Sequence, residues 1–392
     1  MTPSQWISDG ELEVDEDTQI DEYDIVASPN DFNVTTINNF IEKGAVKVPG
    51  FQRNYVWDIK RASKLIESLI IGVPVPQVFL YEESRNKFLV IDGQQRLLTV
   101  FFFIQGRFPR KEKRASIRKL FNVGTGAPNL EVLSDDSLFE PFALKLPKRP
   151  NGDTNKFTNL TYSSLEDYQG QLDLRTIRNM IIKQIRPVDD DSSIFELFNR
   201  LNTGGVNLNA QEIRASLYHS DFFGLLFTLN EDLRWRRILG FPDADPRLKD
   251  IEIILRAFAL SYPDAMETYS GSMTSFLNRY CKMAQSFSSD DVRQRQEEWD
   301  WILSAAQNWP ADTFRTASPK FSPLIFEAVF SAALSLKSRG GSLEQVRPET
   351  IQSLGMSKEF AEFTHQGSTK TVNVKGRYEL ALKSLSPEAL GR

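Results

Sequence analysis

The segment Val90–Thr99 brings together side chains that could do chemistry at one point in the chain. Its sequence Val-Ile-Asp-Gly-Gln-Gln-Arg-Leu-Leu-Thr puts Asp92, Gly93, two amides and Arg96 on one turn between an apolar strand and an apolar helix. Such a junction presents free backbone N–H groups and the positive end of a helix dipole, which favours a phosphate. Arginine in the first helical turn is unfavourable for the dipole unless an anion lies there.

The same turn also has a metal interpretation and a purely structural one. Asp92 is placed to hold Mg²⁺ or a water beside a bound phosphate. A glycine turn before a helix is common, so a structural turn remains the alternative. The chain contains no Gly-x-x-x-x-Gly-Lys-Ser/Thr sequence, which excludes ordinary P-loop chemistry.

Two further segments carry polar side chains in unusual settings. Pro49–Trp57 places Gln52 and Arg53 among aromatic residues, either as solvated neighbours of a core or as part of a site. Phe198–Val206 has an Asn-Thr-Gly-Gly sequence between two predicted helices. That sequence is either a helix C-cap and turn or a glycine backbone that closes on a ligand. Its candidate ligand-binding residues are Asn202, Thr203, Gly204 and Gly205.

Hydrophobic periodicity predicts the elements that must position these segments. Asp58 is predicted to cap a helix that ends at Gly72. The apolar runs 75–81 and 88–91 predict a β-hairpin, and an apolar helix follows over 97–105. Thr35 or Thr36 is predicted to cap an earlier helix, and 180–185 is predicted as a strand. From residue 210 onward the pattern is almost entirely helical, with a short strand suggested at 367–374.

The charge of the chain is unevenly distributed. It has 47 Lys+Arg and 52 Asp+Glu, a formal net charge of −5, yet residues 1–42 hold eleven acidic residues and no basic one. The remaining 350 residues therefore carry a formal charge of +6. The acidic opening predicts disorder to about Asp31, either as a solvated tail or as a DNA-mimicking flap over a basic surface.

A basic stretch offers a candidate contact for DNA phosphates, with a solvated basic face as the alternative. Its basic residues are Arg107, Arg110, Lys111, Lys113, Arg114, Arg118 and Lys119. Arg234, Arg236 and Arg237 form a second basic group.

Composition excludes several other classes of protein. A single cysteine, Cys281, excludes a disulfide framework, and the two histidines, His219 and His365, lie too far apart to suggest a metal cluster. No apolar run approaches the ~20 residues of a membrane span, and the first residues lack the features of a signal peptide. The sequence therefore predicts a cytoplasmic protein without a membrane partner.

Taken in series, these segments resemble the GmrSD N-terminal domain, a module of modification-dependent restriction and anti-phage defence. The resemblance rests on Pro-x-Phe-Gln-Arg-x-Tyr-Val-Trp (Pro49–Trp57) and Ile-Asp-Gly-Gln-Gln-Arg-Leu-x-Thr (Ile91–Thr99). It continues through the Asn-Thr-Gly-Gly segment to Gln-Glu-Ile-Arg (Phe198–Arg214) and a Lys-Asp-x-Glu-x-x-Leu-Arg sequence in Lys249–Leu260. Order and spacing agree over about residues 32–260.

The resemblance implies an α+β fold, in which a ParB/sulfiredoxin-like α/β core is followed by a mostly helical C-terminal region. The implied boundaries are an acidic segment at 1–31, the nucleotide-binding core at 32–215 and a helical domain at 216–392. It further implies that the core binds and hydrolyses a nucleoside triphosphate with Mg²⁺, and that this turnover gates DNA cleavage. Asp92, Gln95 and Arg96 would be catalytic. Gln52, Arg53, Gly93, Gln94 and the Asn202–Gly205 turn would bind the nucleotide.

One departure from the family pattern concerns the nuclease. Family systems that cut DNA add a His-Asn-His motif, and neither histidine of this chain has a second histidine at motif spacing. We therefore expect the nuclease to come from a separate partner. A sulfiredoxin-like reduction is excluded because the only cysteine is outside the phosphate turn. Two alternatives remain, a non-catalytic DNA-binding adaptor whose turn holds nucleic-acid phosphate, and an unrecognised carboxylate nuclease.

Overall fold

The computed structural model describes residues 6–7, 24–47, 55–113, 120–121, 127–148, 152–186, 194, 197, 200–201, 209–218, 220–245, 247–316, 318, 320–343, 346–364 and 367–385. The chain forms two compact units. The α/β unit comprises Ile20–Leu208 and Ala215–Leu217, and the helical unit comprises Met1–Gln19, Asn209–Arg214 and Tyr218–Arg392. A mixed sheet with helices, followed by a mostly helical region, confirms the predicted α+β class.

The α/β unit is built on a five-stranded mixed sheet in the order β1-β7-β3-β4-β2. Its strands are β1 (Asp24–Asn33), β2 (Val46–Lys47), β3 (Val78–Ser84), β4 (Lys87–Asp92) and β7 (Thr176–Arg186). β3 and β4 form the predicted antiparallel hairpin, and parallel pairing joins β3 to β7 and β4 to β2. A separate two-stranded sheet pairs β5 (Arg107–Pro109) with β6 (Phe139–Pro141).

Short local signals set the helices of this unit. They are α1 (Val34–Glu42), α2 (Ile59–Ile71), α3 (Gln94–Ile104), α4 (Leu130–Leu133) and α5 (Asp167–Asp173). As predicted, the Asp58 side chain caps α2 by accepting from the Arg61 N–H, and Gly72 ends the helix with a left-handed φ of 85°. The cap of α1 is Asn33, not Thr35 or Thr36.

The core of the α/β unit forms between the sheet and the apolar faces of its helices. α2 contributes Leu65, Ile66, Leu69 and Ile70, the residues that its helical spacing places on one face. α3 is buried at every position from Leu97 to Phe103, and β4 is buried over Phe88–Ile91. The junction between β4 and α3 is therefore held rigidly by packing on both sides.

The helical unit contains most of the later helices of the chain. They are α6 (Ala210–Leu217, whose last residues cluster with the α/β unit), α7 (Asp221–Asn230), α8 (Leu233–Leu239), α9 (Lys249–Ser261), α10 (Ala265–Thr268), α11 (Met273–Ala284), α12 (Ser289–Ala305), α13 (Pro323–Ser338), α14 (Pro348–Met356), α15 (Lys358–Glu362) and α16 (Thr371–Leu385). α13 is buried on nearly all sides, which marks it as the centre of this unit.

Buried ion pairs tie the central helices of this unit together. On α13, Glu327 accepts from Arg256 Nε of α9 at 2.7 Å and from Arg377 Nη2 of α16 at 3.0 Å. On α9, Asp250 accepts from Arg236 Nη1 at 2.9 Å and Nη2 at 3.0 Å. The Lys249–Leu260 sequence therefore supplies Asp250 and Arg256 to these buried pairs.

The two ends of the chain differ from the sequence prediction. Disorder was predicted to about Asp31, but β1 occupies Asp24–Asn33 at the edge of the sheet, and Trp6 and Ile7 are buried. The short strand suggested for 367–374 is wrong, because α16 begins at Thr371. The domain boundaries drawn at 31/32 and 215/216 differ from the two compact units, which divide near residues 20 and 209.

Within the described residues, no helix combines the length and the apolar character that crossing a bilayer requires.

Candidate functional site

The turn between β4 and α3 depends on glycine at position 93. Gly93 has a φ of 100°, in the left-handed region, and it is the N-cap of α3 without a side chain to cap it. A Cβ at this position would lie 2.8 Å from Val78 Cγ2 and 3.1 Å from Arg96 Nη2. Glycine therefore allows β3 and the Arg96 side chain to approach the turn closely, and it leaves the helix N-terminus without a capping side chain.

Arg96 and Asp92 form an ion pair one helical turn apart on this junction. Arg96 Nη2 donates to Asp92 Oδ2 at 2.9 Å and to the Gln77 carbonyl at 3.0 Å. The Arg96 side chain is 17% exposed and that of Asp92 is 37% exposed. Among the described residues, the buried Nε of Arg96 has no hydrogen-bond partner. Asp92 and Gln77 thus fix a guanidinium that retains donor capacity at the helix N-terminus.

Gln95 connects the turn to the Pro49–Trp57 segment. Its side-chain Oε1 accepts from the Val56 N–H at 2.9 Å and from the Trp57 N–H at 3.4 Å. The oxygen that could have polarised a reacting water is therefore already engaged with backbone. This contact argues that Gln95 positions the neighbouring segment.

Tyr55, in the same segment, is buried and contacts α3. Its hydroxyl lies 2.8 Å from Thr99 Oγ1, which in turn donates to the Gln95 carbonyl at 2.6 Å. The ring is buried edge-on against Phe102 and Phe108. Tyr55, Gln95 and Thr99 thereby join two motifs that are distant in sequence.

The structure brings only some of the predicted site residues together. Asp92, Gly93, Gln94, Gln95 and Arg96 share the β4–α3 junction. The remaining predicted nucleotide-binding residues lie outside the described residues, and so do both histidines; they are Gln52, Arg53, Asn202, Thr203, Gly204, Gly205, His219 and His365.

Three contacts of the junction were missed in the sequence. The Gln77 carbonyl and the Val78 side chain come from β3 and the loop before it, and no local pattern indicates that they face the turn. Thr99 lies within the quoted motif, at one turn from Gln95 and facing the same way. Its hydroxyl was therefore a signal that sequence reasoning could have used.

The distribution of acidic, histidine and cysteine side chains bears on metal binding. In the part of the chain that the structure describes, no group of three or more His, Cys, Asp or Glu side chains could hold a metal ion. A cation at Asp92 would therefore take most of its ligands from a bound phosphate and from water, as Mg²⁺ commonly does.

Two arginines of the predicted basic stretch form hydrogen bonds within the protein. Arg107 donates to the Leu133 carbonyl at 3.0 Å and to Asp136 Oδ1 at 2.8 Å, and Arg110 Nε donates to the Asp136 carbonyl at 2.9 Å. Lys111 and Lys113 are exposed. The other three predicted residues, Arg114, Arg118 and Lys119, lie outside the described residues.

The second basic group is built into the helical unit. Arg234 pairs with Asp232, and its hydrogen bonds to that carboxylate raise the pKa of Arg234 above its ordinary value. Arg237 donates to the Ala306 carbonyl at 3.2 Å. Arg236 is buried and pairs with Asp250.

The site lies in a part of the chain that matches a known protein family. Residues 34–219 match the family described as "GmrSD restriction endonuclease, N-terminal domain". This match confirms the resemblance that the sequence motifs indicate. The β4–α3 junction and the Tyr55–Trp57 segment both lie inside the match.

A curated relative adds a more distant likeness. It is an uncharacterised protein of Methanocaldococcus jannaschii, 22% identical to this chain. The match covers 45% of this chain and only 40% of the relative's length.

Proposed function

We propose that this protein is the nucleotide-binding, nucleotide-hydrolysing component of a DNA-modification-dependent restriction or anti-phage defence system. The proposed site is the β4–α3 junction in its ParB-like setting. The nucleotide binds with its phosphates at the N-terminus of α3, beside Arg96. Its hydrolysis then controls the processing of DNA.

The observation that carries this proposal is the state of Arg96. Asp92 and the Gln77 carbonyl hold its Nη2, so the guanidinium is oriented before any ligand arrives. An arginine in the first turn of a helix opposes the dipole, and a bound phosphate would remove that cost. Gly93 has no side chain to cap α3, and the positive end of the helix dipole favours the same anion.

Because the Gln95 side chain already accepts a hydrogen bond from Val56, we assign different roles to the residues of the junction. Arg96 contacts the phosphates, Asp92 orients Arg96, and Gln95 positions the Pro49–Trp57 segment through the backbone of Val56. Gln52 and Arg53, which lie outside the described residues, are proposed to bind the nucleotide on the basis of the family resemblance alone.

Mg²⁺ is the proposed companion of the nucleotide. The residues fit such an ion, because Asp92 is the partly exposed carboxylate of the junction and phosphate oxygens would complete the ligand set. When bound, the ion would neutralise phosphate charge. Asp92 would then share its two oxygens between the ion and Arg96.

DNA and a nuclease are the proposed partners. The match to a restriction-related domain motivates both proposals. Exposed Lys111 and Lys113 are the described residues of the basic stretch that remain available to DNA phosphates.

Phosphate release with Mg²⁺ and each nucleoside triphosphate tests the proposal. We expect turnover by the wild type, with or without DNA, and background release by the Asp92→Ala, Arg96→Ala double variant. The matched control is Arg110→Ala, which removes a partly exposed arginine of the same unit and should turn over normally. Equal background release by all three proteins, without nucleotide binding, would refute the proposal. Loss of duplex binding in the double variant, with no nucleotide binding in any protein, would favour the adaptor alternative.

A further inference from the structure

Two residues near the start of the chain are inserted into the helical unit. Trp6 is 8% exposed and Ile7 is 4% exposed, although acidic, polar sequence follows them. The Trp6 carbonyl accepts from the Phe321 N–H at 3.1 Å, and Ile7 forms a parallel β-bridge with Phe321. The Trp6 indole stacks on Phe241, with ring centroids 5.7 Å apart and planes 9° apart.

A buried carboxylate recognises the polar edge of the tryptophan. Trp6 Nε1 donates to Asp245 Oδ2 at 3.3 Å, and Asp245 is 2% exposed. Its other oxygen, Oδ1, accepts from the Arg247 N–H at 2.7 Å, so the carboxylate is oriented by its own loop. A tryptophan with a stacked ring and a satisfied N–H is typical of specific recognition.

The loop that carries this carboxylate is itself held by the Lys249–Leu260 motif. Asp250 Oδ2 accepts from the Asp245 N–H at 2.9 Å while it pairs with Arg236. On the other wall, Phe321 contacts the rings of Trp235 and Phe326 in the core. Phe241, Asp245 and Phe321, which we call the socket, are thus supported independently of the residues that occupy them.

The occupant is continuous with the most acidic part of the chain. Residues 8–23 hold eight acidic residues and no basic one, and β1 begins at Asp24. Such a segment contributes little apolar surface of its own. Among the described residues before Asp24, Trp6 and Ile7 contact the helical unit.

We propose that the socket is a peptide-binding site for an extended tryptophan–aliphatic pair, and that Trp6–Ile7 occupies it reversibly in cis to retain the acidic segment on the helical unit. The backbone bridge to Phe321 provides affinity, and Asp245 with Phe241 provides selectivity for tryptophan. Because the occupant is tethered, its effective concentration is on the order of millimolar. Free peptide therefore competes poorly until the anchor is removed.

Peptide binding to the full-length chain tests this inference without nucleotide or DNA. A fluorescein-labelled peptide of residues 1–12 is titrated, by anisotropy, with the wild type and with Trp6→Ala. We expect binding to Trp6→Ala and at least a tenfold weaker response from the wild type. The matched control Trp301→Ala removes a partly exposed tryptophan from the same unit and should behave as the wild type does.

Two further variants separate the socket from general adhesion. A peptide with Trp6→Ala should not bind, and Asp245→Asn in the Trp6→Ala chain should weaken binding by about fivefold, because one hydrogen bond is lost. Trp6→Phe keeps an aromatic ring and covers the case in which Trp6→Ala fails to fold; it should bind the peptide to an intermediate extent. Equal binding by wild type and variants, or no binding by folded Trp6 variants, would overturn the inference.

Discussion

The two motif-bearing regions of the chain use similar residues in opposite ways. At the β4–α3 junction, Asp92 and Arg96 form a partly exposed pair, with side chains 37% and 17% exposed. In the helical unit, Arg256 and Glu327 form a pair that is at most 2% exposed. Both pairs include an arginine with nitrogens that have no partner among the described residues, Nε in Arg96 and both terminal nitrogens in Arg256.

The exposed fraction of the arginine side chain determines whether such a pair can bind a ligand. A guanidinium that is 0% exposed cannot meet a nucleotide, so Arg256 contributes to the architecture of the helical unit. A partly exposed guanidinium at an uncapped helix N-terminus can receive a ligand. Removal of a partner from the buried pair should therefore lower stability, whereas removal of a partner from the exposed pair should lower binding.

The largest expected effect is on the stability of the helical unit. Glu327→Ala leaves the guanidinium groups of Arg256 and Arg377 buried without their shared carboxylate. We expect the free energy of unfolding to fall by about 3–5 kcal/mol, as for other broken buried pairs. Urea unfolding followed by circular dichroism measures it.

The control for that variant is Arg293→Ala. Arg293 pairs with Asp290 at 2.8 Å, but the two side chains are 67% and 81% exposed. The variant should unfold at the same urea concentration as the wild type, because exposed pairs contribute little. Equal destabilisation by Glu327→Ala and Arg293→Ala would contradict the claim that buried ion pairs contribute more to stability than exposed ones.

Gly93→Ala is expected to have the next largest effect. The substitution adds a Cβ that lies 2.8 Å from Val78 Cγ2, at a φ of 100°. Gly106→Ala is its control, since Gly106 has a φ of 67° with nothing within 4 Å of the added Cβ. Both variants bear a left-handed strain of about 1–2 kcal/mol. Gly93→Ala should lose about 1–3 kcal/mol more through overpacking, and it should also displace Arg96. Equal unfolding free energies would contradict the tight approach of β3 to the turn.

A smaller effect on stability is expected from loss of the contact between the Tyr55 and Thr99 hydroxyls. Tyr55→Phe and Thr99→Val each remove one partner of the 2.8 Å hydroxyl contact. In a double-mutant cycle, urea unfolding should give a coupling energy of about 1 kcal/mol between the two sites. Strictly additive losses would show that the contact does not hold the segment on α3.

The smallest effect at neutral pH concerns Cys281. Burial raises the pKa of this thiol to about 12, well above the value of about 8.5 for a free cysteine. Since the folded pKa is the higher one, the contribution to stability is complete below about pH 8.5 and is lost as pH rises toward 12. We expect no labelling by iodoacetamide in the folded protein at pH 8 and loss of stability above about pH 9. In Cys281→Ala that alkaline loss should be smaller. Rapid labelling of the folded wild type would contradict the burial.

Much of the α/β unit could be predicted from sequence because its signals are local. The Asp58 cap, the apolar spacing of α2 and the Gly72 stop all act within a few residues. The β3–β4 hairpin and the glycine turn at 93 follow from similar patterns. The position of the junction between β4 and α3 could therefore be predicted from the sequence.

The errors arose where distant contacts decide the structure. β1 forms because β7 offers a complete antiparallel partner, although its own sequence is polar. Trp6 is buried because a socket more than two hundred residues away receives it. The contact of Gln95 with the Val56 N–H also joins residues that are distant in sequence, and no local pattern indicated it. A count of charged residues does not indicate any of these contacts between distant parts of the sequence.

Calorimetric titration of Mg²⁺-nucleotide into the full-length chain tests the central claim most directly. The comparison is of wild type, Arg96→Ala and the control Arg110→Ala. We predict that Arg96→Ala weakens binding by about 10- to 100-fold, the cost of losing a charged hydrogen-bond donor, with the unfolding free energy within about 1 kcal/mol of the wild type. Arg110→Ala should bind as the wild type does. Unchanged nucleotide affinity in folded Arg96→Ala would contradict the account.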